Sequence, residues 1–298
     1  MAYVAKKLRA MGLHFSVKRQ LDRAGKVFRA WDREAKLDLC VRILPWSQDA
    51  ERQLQVMRRV DALREIVPNL VLVRRSGSTL VLVSRWIKGR SLRSYLRART
   101  RNPDWGIGIH QSLTMFRRFA NGLSNLHRQG FVVHGDIKPE NIIIEEGGVY
   151  RMILVDLGSC WLQSEARRRS MGDGITPVYA APECQDEDWL AANYLSDQFS
   201  ASVVLYEMLS GEIPYDRFGG SVGDRSIELV KPSDLLRGSG YPARVLRATD
   251  ELVCRGLQLD PEDRFPKRRE WQHAAHRAVE ALEPKHSRLP FWLRFWRQ

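Results

Sequence analysis

The residue periodicity of this chain changes once, near residues 85–90, and that change limits the folds open to it. Before it the runs are short and strand-like. Residues 26–32 (KVFRAWD) and 37–44 (LDLCVRIL) are separated by the polar REAK, which predicts a hairpin. Residues 70–73 (LVLV) and 79–84 (TLVLVS) predict a second one, with Gly77 at its turn. Between the hairpins, residues 50–66 carry Leu54, Met57, Val60 and Leu63 near helical spacing, and Pro68 stops the pattern. After the change, residues 112–130 carry Leu113, Phe116, Phe119, Leu123 and Leu126, an apolar helical stripe ending at Gly130. Residues 141–156 predict one more hairpin, turned at Gly147-Gly148. The remainder reads as mainly helical, with a Gly/Ser-rich polar stretch at 218–240. The expected fold class is α+β: a small strand-rich lobe, a link, and a larger helical lobe.

Bulk properties exclude some functions. No apolar run is long enough to span a bilayer, and the N-terminus lacks the apolar core of a secretory signal. Cys40, Cys160, Cys184 and Cys254 form no Cys-x-x-Cys pair, so a reducing cytoplasmic location without structural zinc is expected. The formal charge is +13, and residues 1–30 hold eight Lys/Arg against the single acid Asp22. Such a surface favours anionic partners. No zinc-finger spacing, RNA-binding aromatic signature or helix-turn-helix is present, so nucleic acid is not an expected partner.

Residues 134–141, HGDIKPEN, carry the chemistry. In-line phosphoryl transfer needs a carboxylate to orient a hydroxyl, hard oxygen ligands for magnesium, and cations on the phosphate oxygens. Asp136 is the candidate base, Asn141 a candidate metal ligand, and Lys138 lies between them. Twenty residues after Asp136, the apolar run of LVDLGS (154–159) delivers Asp156 to a turn at Gly158, suiting it as a second metal ligand.

These segments resemble the protein-kinase superfamily, in particular its eukaryotic-type Ser/Thr members. Their catalytic loop reads H-R-D-x-K-x-x-N and their metal-binding turn D-F-G. Here His134-Gly135-Asp136-Ile137-Lys138-Pro139-Glu140-Asn141 and Asp156-Leu157-Gly158 take those places. Small-molecule kinases of the H-G-D type share the loop but lack the peptide-binding segment. GITPVYAAPE (174–183) resembles that segment, with one residue inserted after Gly174. The resemblance implies that Asp197 in SDQFSASVVLYEMLSGEIPY holds the catalytic loop and that Arg264 in LDPEDRF pairs with Glu183. Lys138 together with Thr176 follows the Ser/Thr pattern, so a serine or threonine on a protein is the implied acceptor. ATP and Mg2+ (or Mn2+) are the implied cofactors. The fold implied is the two-lobed protein-kinase fold: a basic extension at 1–13, a smaller lobe at 14–84, a hinge at 85–90, a larger lobe at 91–282, and a tail at 283–298. Nucleotide is expected near Arg85 and Ile87.

The smaller lobe departs from the family pattern. Where the nucleotide-covering loop should read G-x-G-x-x-G-x-V, the aligned residues are Gln20, Asp22 and Gly25, followed by Val27. Asp22 would bring negative charge towards the phosphates unless it turns outward. The phosphate-anchoring lysine is replaced by Arg42, which is not an equivalent cation. Counting forward from Arg42 permits Asp61 as its helix partner, while counting back from Pro68 lands on Arg58, and an Arg42–Asp61 pair is the expectation. These departures support a second reading, a pseudokinase acting as a scaffold or allosteric partner. Gly135 replaces the arginine that receives an activation-loop phosphate in many family members. Ser159, Ser164 and Ser170 lie in that loop, yet activity independent of its phosphorylation is expected. The tail PKHSRLPFWLRFWRQ (284–298) has four aromatics, four Lys/Arg and no acid. An anionic membrane interface and apolar docking on the body are both open to it.

Overall fold

The computed structural model describes residues 1–101, 108–147, 150–163, 176–185, 193–224 and 226–283. The smaller lobe is built from α1 (Ala2–Ala10), β1 (Ser16–Gln20), β2 (Val27–Asp32), β3 (Leu37–Pro45), α2 (Gln48–Val60), β4 (Leu70–Ser76) and β5 (Thr79–Arg85). Its five strands form one antiparallel sheet in the order β1-β2-β3-β5-β4. Side chains alternate across a strand, and both faces of this sheet are covered. Ala30, Leu39, Val41, Val81 and Val83 pack with Leu8 and Leu13 on one face. On the other, Leu80 and Leu82 pack with Ala50 and Leu54 of α2. The basic segment 1–13 is thus largely a helix whose Leu8 is fully buried against the sheet, rather than a free extension.

Helix α2 starts at an N-cap, Ser47, whose Oγ accepts the Ala50 N–H at 3.2 Å. It ends at Val60, short of the Pro68 stop that its periodicity predicted. The chain folds back there because the Asp61 carboxylate accepts the Leu70 N–H at 2.6 Å, tying the helix end to β4.

The larger lobe contains β6 (Gly89–Ser91), α3 (Leu92–Arg101), α4 (Ile109–Asn125), β7 (Val132–Val133), β8 (Ile142–Glu145), β9 (Arg151–Leu154), β10 (Trp161–Leu162), α5 (Tyr194–Ser210), α6 (Pro232–Leu235), α7 (Ala243–Gly256) and α8 (Arg268–Glu280). Helix α5 is buried around almost its whole circumference, as its apolar composition requires. On α4, Phe116 meets Trp271 of α8 edge-on, with ring centroids 5.8 Å apart. A π-helical turn follows α4, and Phe131, just after Gly130, takes the left-handed conformation that ends it. Two small sheets, β6-β8-β9 and β7-β10, frame the loops that matter. Residues 134–141 connect β7 to β8, and Asp156 follows β9. The molecule therefore has the two-lobed α+β architecture of the protein kinases. Of the predicted hairpin turn at 147–148, Gly148 lies outside the described residues.

Candidate active site

The two lobes enclose a cleft of about 550 Å3. Val27, Met57 and Leu82 line it from the smaller lobe, Ile143 and Leu157 from the larger, and Arg85 and Ile87 from the link. That volume suits a small organic ligand, and its apolar walls suit a flat ring.

The catalytic-loop residues are fixed from beneath. Asp197 on α5 is buried, and its carboxylate accepts the His134 and Gly135 N–H groups, each at 2.8 Å. His127 Nε2 also lies 2.8 Å from this carboxylate. Burial would raise the Asp197 carboxyl, but its hydrogen bonds and the nearby histidines hold it below the usual carboxylate range. Gly135 sits at φ +71°, a conformation that favours glycine, so residue 135 is shaped by the backbone as well as by its missing arginine. The His134 ring lies against the loop, with Nδ1 3.4 Å from the Asp136 N.

Above this base, Lys138 Nζ reaches Asp136 Oδ2 at 2.7 Å and donates to Thr176 Oγ1 at 2.8 Å. One ammonium therefore joins the catalytic loop to the 174–183 segment. Asn141 Nδ2 donates to the Asp136 carbonyl at 2.9 Å and to Asp136 Oδ2 at 2.8 Å. Its amide nitrogen is thereby committed, which orients Oδ1 as the atom available to a cation. Asn141 and Asp156 both line the cleft. Asp156 itself adopts φ +64°, and its Oδ1 accepts the Gly158 N–H at 3.3 Å.

Arg264, fully buried, donates to both oxygens of Glu183 at 2.7 and 2.8 Å. Ser196 Oγ donates to the same carboxylate at 2.9 Å. This pair ties the end of the 174–183 segment to the larger lobe. Of that segment, residues 176–183 are described and Gly174 is not. Ser164, Ser170 and the 284–298 tail also lie outside the described residues.

The smaller lobe corrects one expectation. Arg42 is not paired with Asp61, whose carboxylate is held by the Leu70 N–H at the far end of α2. Arg42 Nη2 instead donates to Asp156 Oδ1 at 2.7 Å, and Nη1 lies 3.4 Å from Gln53 Oε1. Partial desolvation in the cleft would raise the half-exposed Asp156 carboxyl, and the charge and hydrogen bond of Arg42 more than offset it, keeping it below its ordinary value. Gln53 was missed by counting residues. The readable signal was its place four before Met57, which puts both on one helix face, and both line the cleft. Asp22 also lines the cleft, but its carboxylate turns onto its own loop. It accepts the N–H of Lys26 at 2.9 Å and of Val27 at 2.8 Å. Gly25, at φ +66°, makes the turn between them.

A second cluster had no sequence signal. Arg93 on α3 donates to Glu140 Oε1 at 2.7 Å and Glu207 Oε1 at 2.6 Å, and also bonds the Tyr179 hydroxyl. Tyr179 donates in turn to Glu207 Oε2 at 2.7 Å. Burial, reinforced by Glu207, pushes the Tyr179 hydroxyl well above its ordinary pKa. The cluster joins α3, the catalytic loop, α5 and the 174–183 segment.

Asp136 and Lys138 share one loop with Asn141, and Asn141, bonded to Asp136, lines a nucleotide-sized cleft with a second acid, Asp156, which makes a phosphotransferase arrangement. Residues 23–275 match the protein kinase domain. The chain belongs to the protein kinase family. Similar curated proteins carry serine/threonine-kinase names. Serine/threonine-protein kinase GIN4 of Saccharomyces cerevisiae is 27% identical over 223 residues, covering 73% of this chain and 18% of that protein. Serine/threonine-protein kinase PknH of Mycobacterium bovis is 28% identical over 287 residues, covering 92% of this chain and 45% of that protein. PknA of Corynebacterium glutamicum is 30% identical over 186 residues, covering 62% and 36%. The chain thus spans less than half the length of these relatives.

Proposed function

We propose that this chain is an ATP- and magnesium-dependent kinase acting on serine or threonine side chains of proteins. The observation that carries the reading is the Lys138 ammonium, 2.7 Å from Asp136 Oδ2 and 2.8 Å from Thr176 Oγ1. It couples the candidate base to the segment that resembles a peptide-binding strip. The donor set suits magnesium, since the Asn141 Oδ1 and the Asp156 carboxylate are hard oxygens lining one cleft. Mg2+ or Mn2+ held there would neutralise phosphate charge. Asp136 orients the acceptor hydroxyl and takes its proton as the new O–P bond forms and the bond from the γ-phosphorus to the β–γ bridging oxygen breaks, releasing ADP. Lys138 steadies the phosphoryl oxygens, and Arg42 supplies a further cation. Val27, Leu82, Arg85 and Ile87 receive the base and sugar end.

The test is transfer of labelled phosphate from ATP, with magnesium or manganese, to a generic basic protein. The parent is expected to label the substrate and Asp136→Ala to abolish labelling. Arg42→Lys is expected to retain it, because lysine is the cation that the family pattern has at this position. The alternative, a pseudokinase scaffold, is favoured by one contact, Arg42 seated on the metal-ligand candidate Asp156. Absence of label in all three proteins, with no nucleotide-induced rise in melting temperature, supports the scaffold.

A further inference from the structure

The carboxylate that a metal would use already carries a protein cation. Arg42 makes a charged 2.7 Å contact with Asp156, against a 3.4 Å contact with the neutral amide of Gln53. A short bond between charged groups outweighs a long one to an amide, so α2 has little hold on the guanidinium. No acid of α2 offers a better partner. Asp49 pairs with Arg52 at 2.7 Å, Glu51 is exposed, and Asp61, just past the helix end, is held by the Leu70 N–H. Gly158 leaves the space the guanidinium needs. A Cβ there would lie 3.1 Å from both Arg42 Nη1 and Asp156 Oδ1.

We propose that the neutral side chain at position 53, Gln53 in this chain, sets the metal requirement of the cleft. By leaving Arg42 on Asp156, it provides a built-in cation, so a nucleotide binds with little dependence on a divalent metal. Asp156 and Asn141 would hold a divalent ion only where the guanidinium gives way. A glutamate at 53 would draw Arg42 towards α2, expose the Asp156 carboxylate, and make nucleotide binding depend on metal. This inference rests on the cleft being a nucleotide site, as proposed above, but not on phosphoryl transfer.

The test is equilibrium binding of a fluorescent ATP analogue, in magnesium and in EDTA, to the full chain and to Gln53→Glu and Gln53→Ala. The parent and Gln53→Ala are expected to show affinities in the two media within roughly threefold of each other. Gln53→Glu is expected to bind about tenfold more tightly in magnesium than in EDTA. Melting curves of the three proteins establish that each is folded. A parent already about tenfold metal-dependent overturns the proposal, as does a Gln53→Glu variant with the parent's response, or a parent that binds no nucleotide. A chain that binds as expected yet transfers no phosphate loses the kinase reading and keeps this one.

Discussion

Asp197 takes its charge into the interior of the larger lobe and is compensated there by the His134 and Gly135 N–H groups and by His127. Its folded pKa lies below the ordinary carboxylate value, so the unfolded chain binds the proton more tightly. The stability it supplies is therefore present above pH ~4, the unfolded value, and is lost as pH falls through the lower folded value. Asp197→Asn removes the charge that these donors serve and is expected to cost about 2–3 kcal/mol at neutral pH. The gap between parent and variant should narrow as urea melts are taken from pH 5 down to about pH 2.5. A gap that stays constant over that range would show that ionised Asp197 is not what the donors stabilise.

At the scale of elements, α1 shows how a helix can be hidden by its charge. Val4, Leu8 and Met11 recur at helical spacing, and all three pack on the outer face of the sheet. Lys6 and Arg9 on the exposed side, with the half-buried Lys7, give the segment its basic character. Leu8→Ala is expected to cost about 2–4 kcal/mol in urea denaturation, whereas Lys6→Ala should change stability little. Equal effects would mean that α1 is not part of the cooperative unit. The strand β1 was illegible for a related reason: SVKRQ lies at the sheet edge, where charged side chains replace apolar alternation. The larger lobe was legible because short motifs carry its site, with Asp136, Lys138 and Asn141 set within six residues of one loop. In the smaller lobe, Arg42's partner depends on where α2 begins and how it is rotated against the sheet. Residue counting led to Asp61, whereas the Ser47 cap and the Leu70–Asp61 bond set α2 so that Gln53 is the helix residue nearest Arg42.

At the scale of the whole molecule, what matters is whether the two lobes and the strip at 176–183 are joined by groups already in the chain. Arg42–Asp156 links the lobes across 114 residues of sequence, and Lys138–Thr176 links the catalytic loop to the strip across 38. Arg264–Glu183 and the Arg93 cluster hold the strip and catalytic loop to the larger lobe. Residue 135 offers no side chain to receive a loop phosphate, and its N–H is already committed to Asp197. A phosphate on Ser170 would thus find no cation at 135 to order the loop. Ser170→Ala is accordingly expected to match the parent in phosphate-transfer rate. Thr176→Ala takes away the oxygen that Lys138 Nζ reaches at 2.8 Å and leaves the ammonium, among the described residues, to Asp136. Its transfer rate is expected to fall by roughly tenfold or more, since the lost bond carries a charge. A large loss in Ser170→Ala with little loss in Thr176→Ala would invert the argument, making the loop phosphate rather than these built-in contacts the organiser of the site.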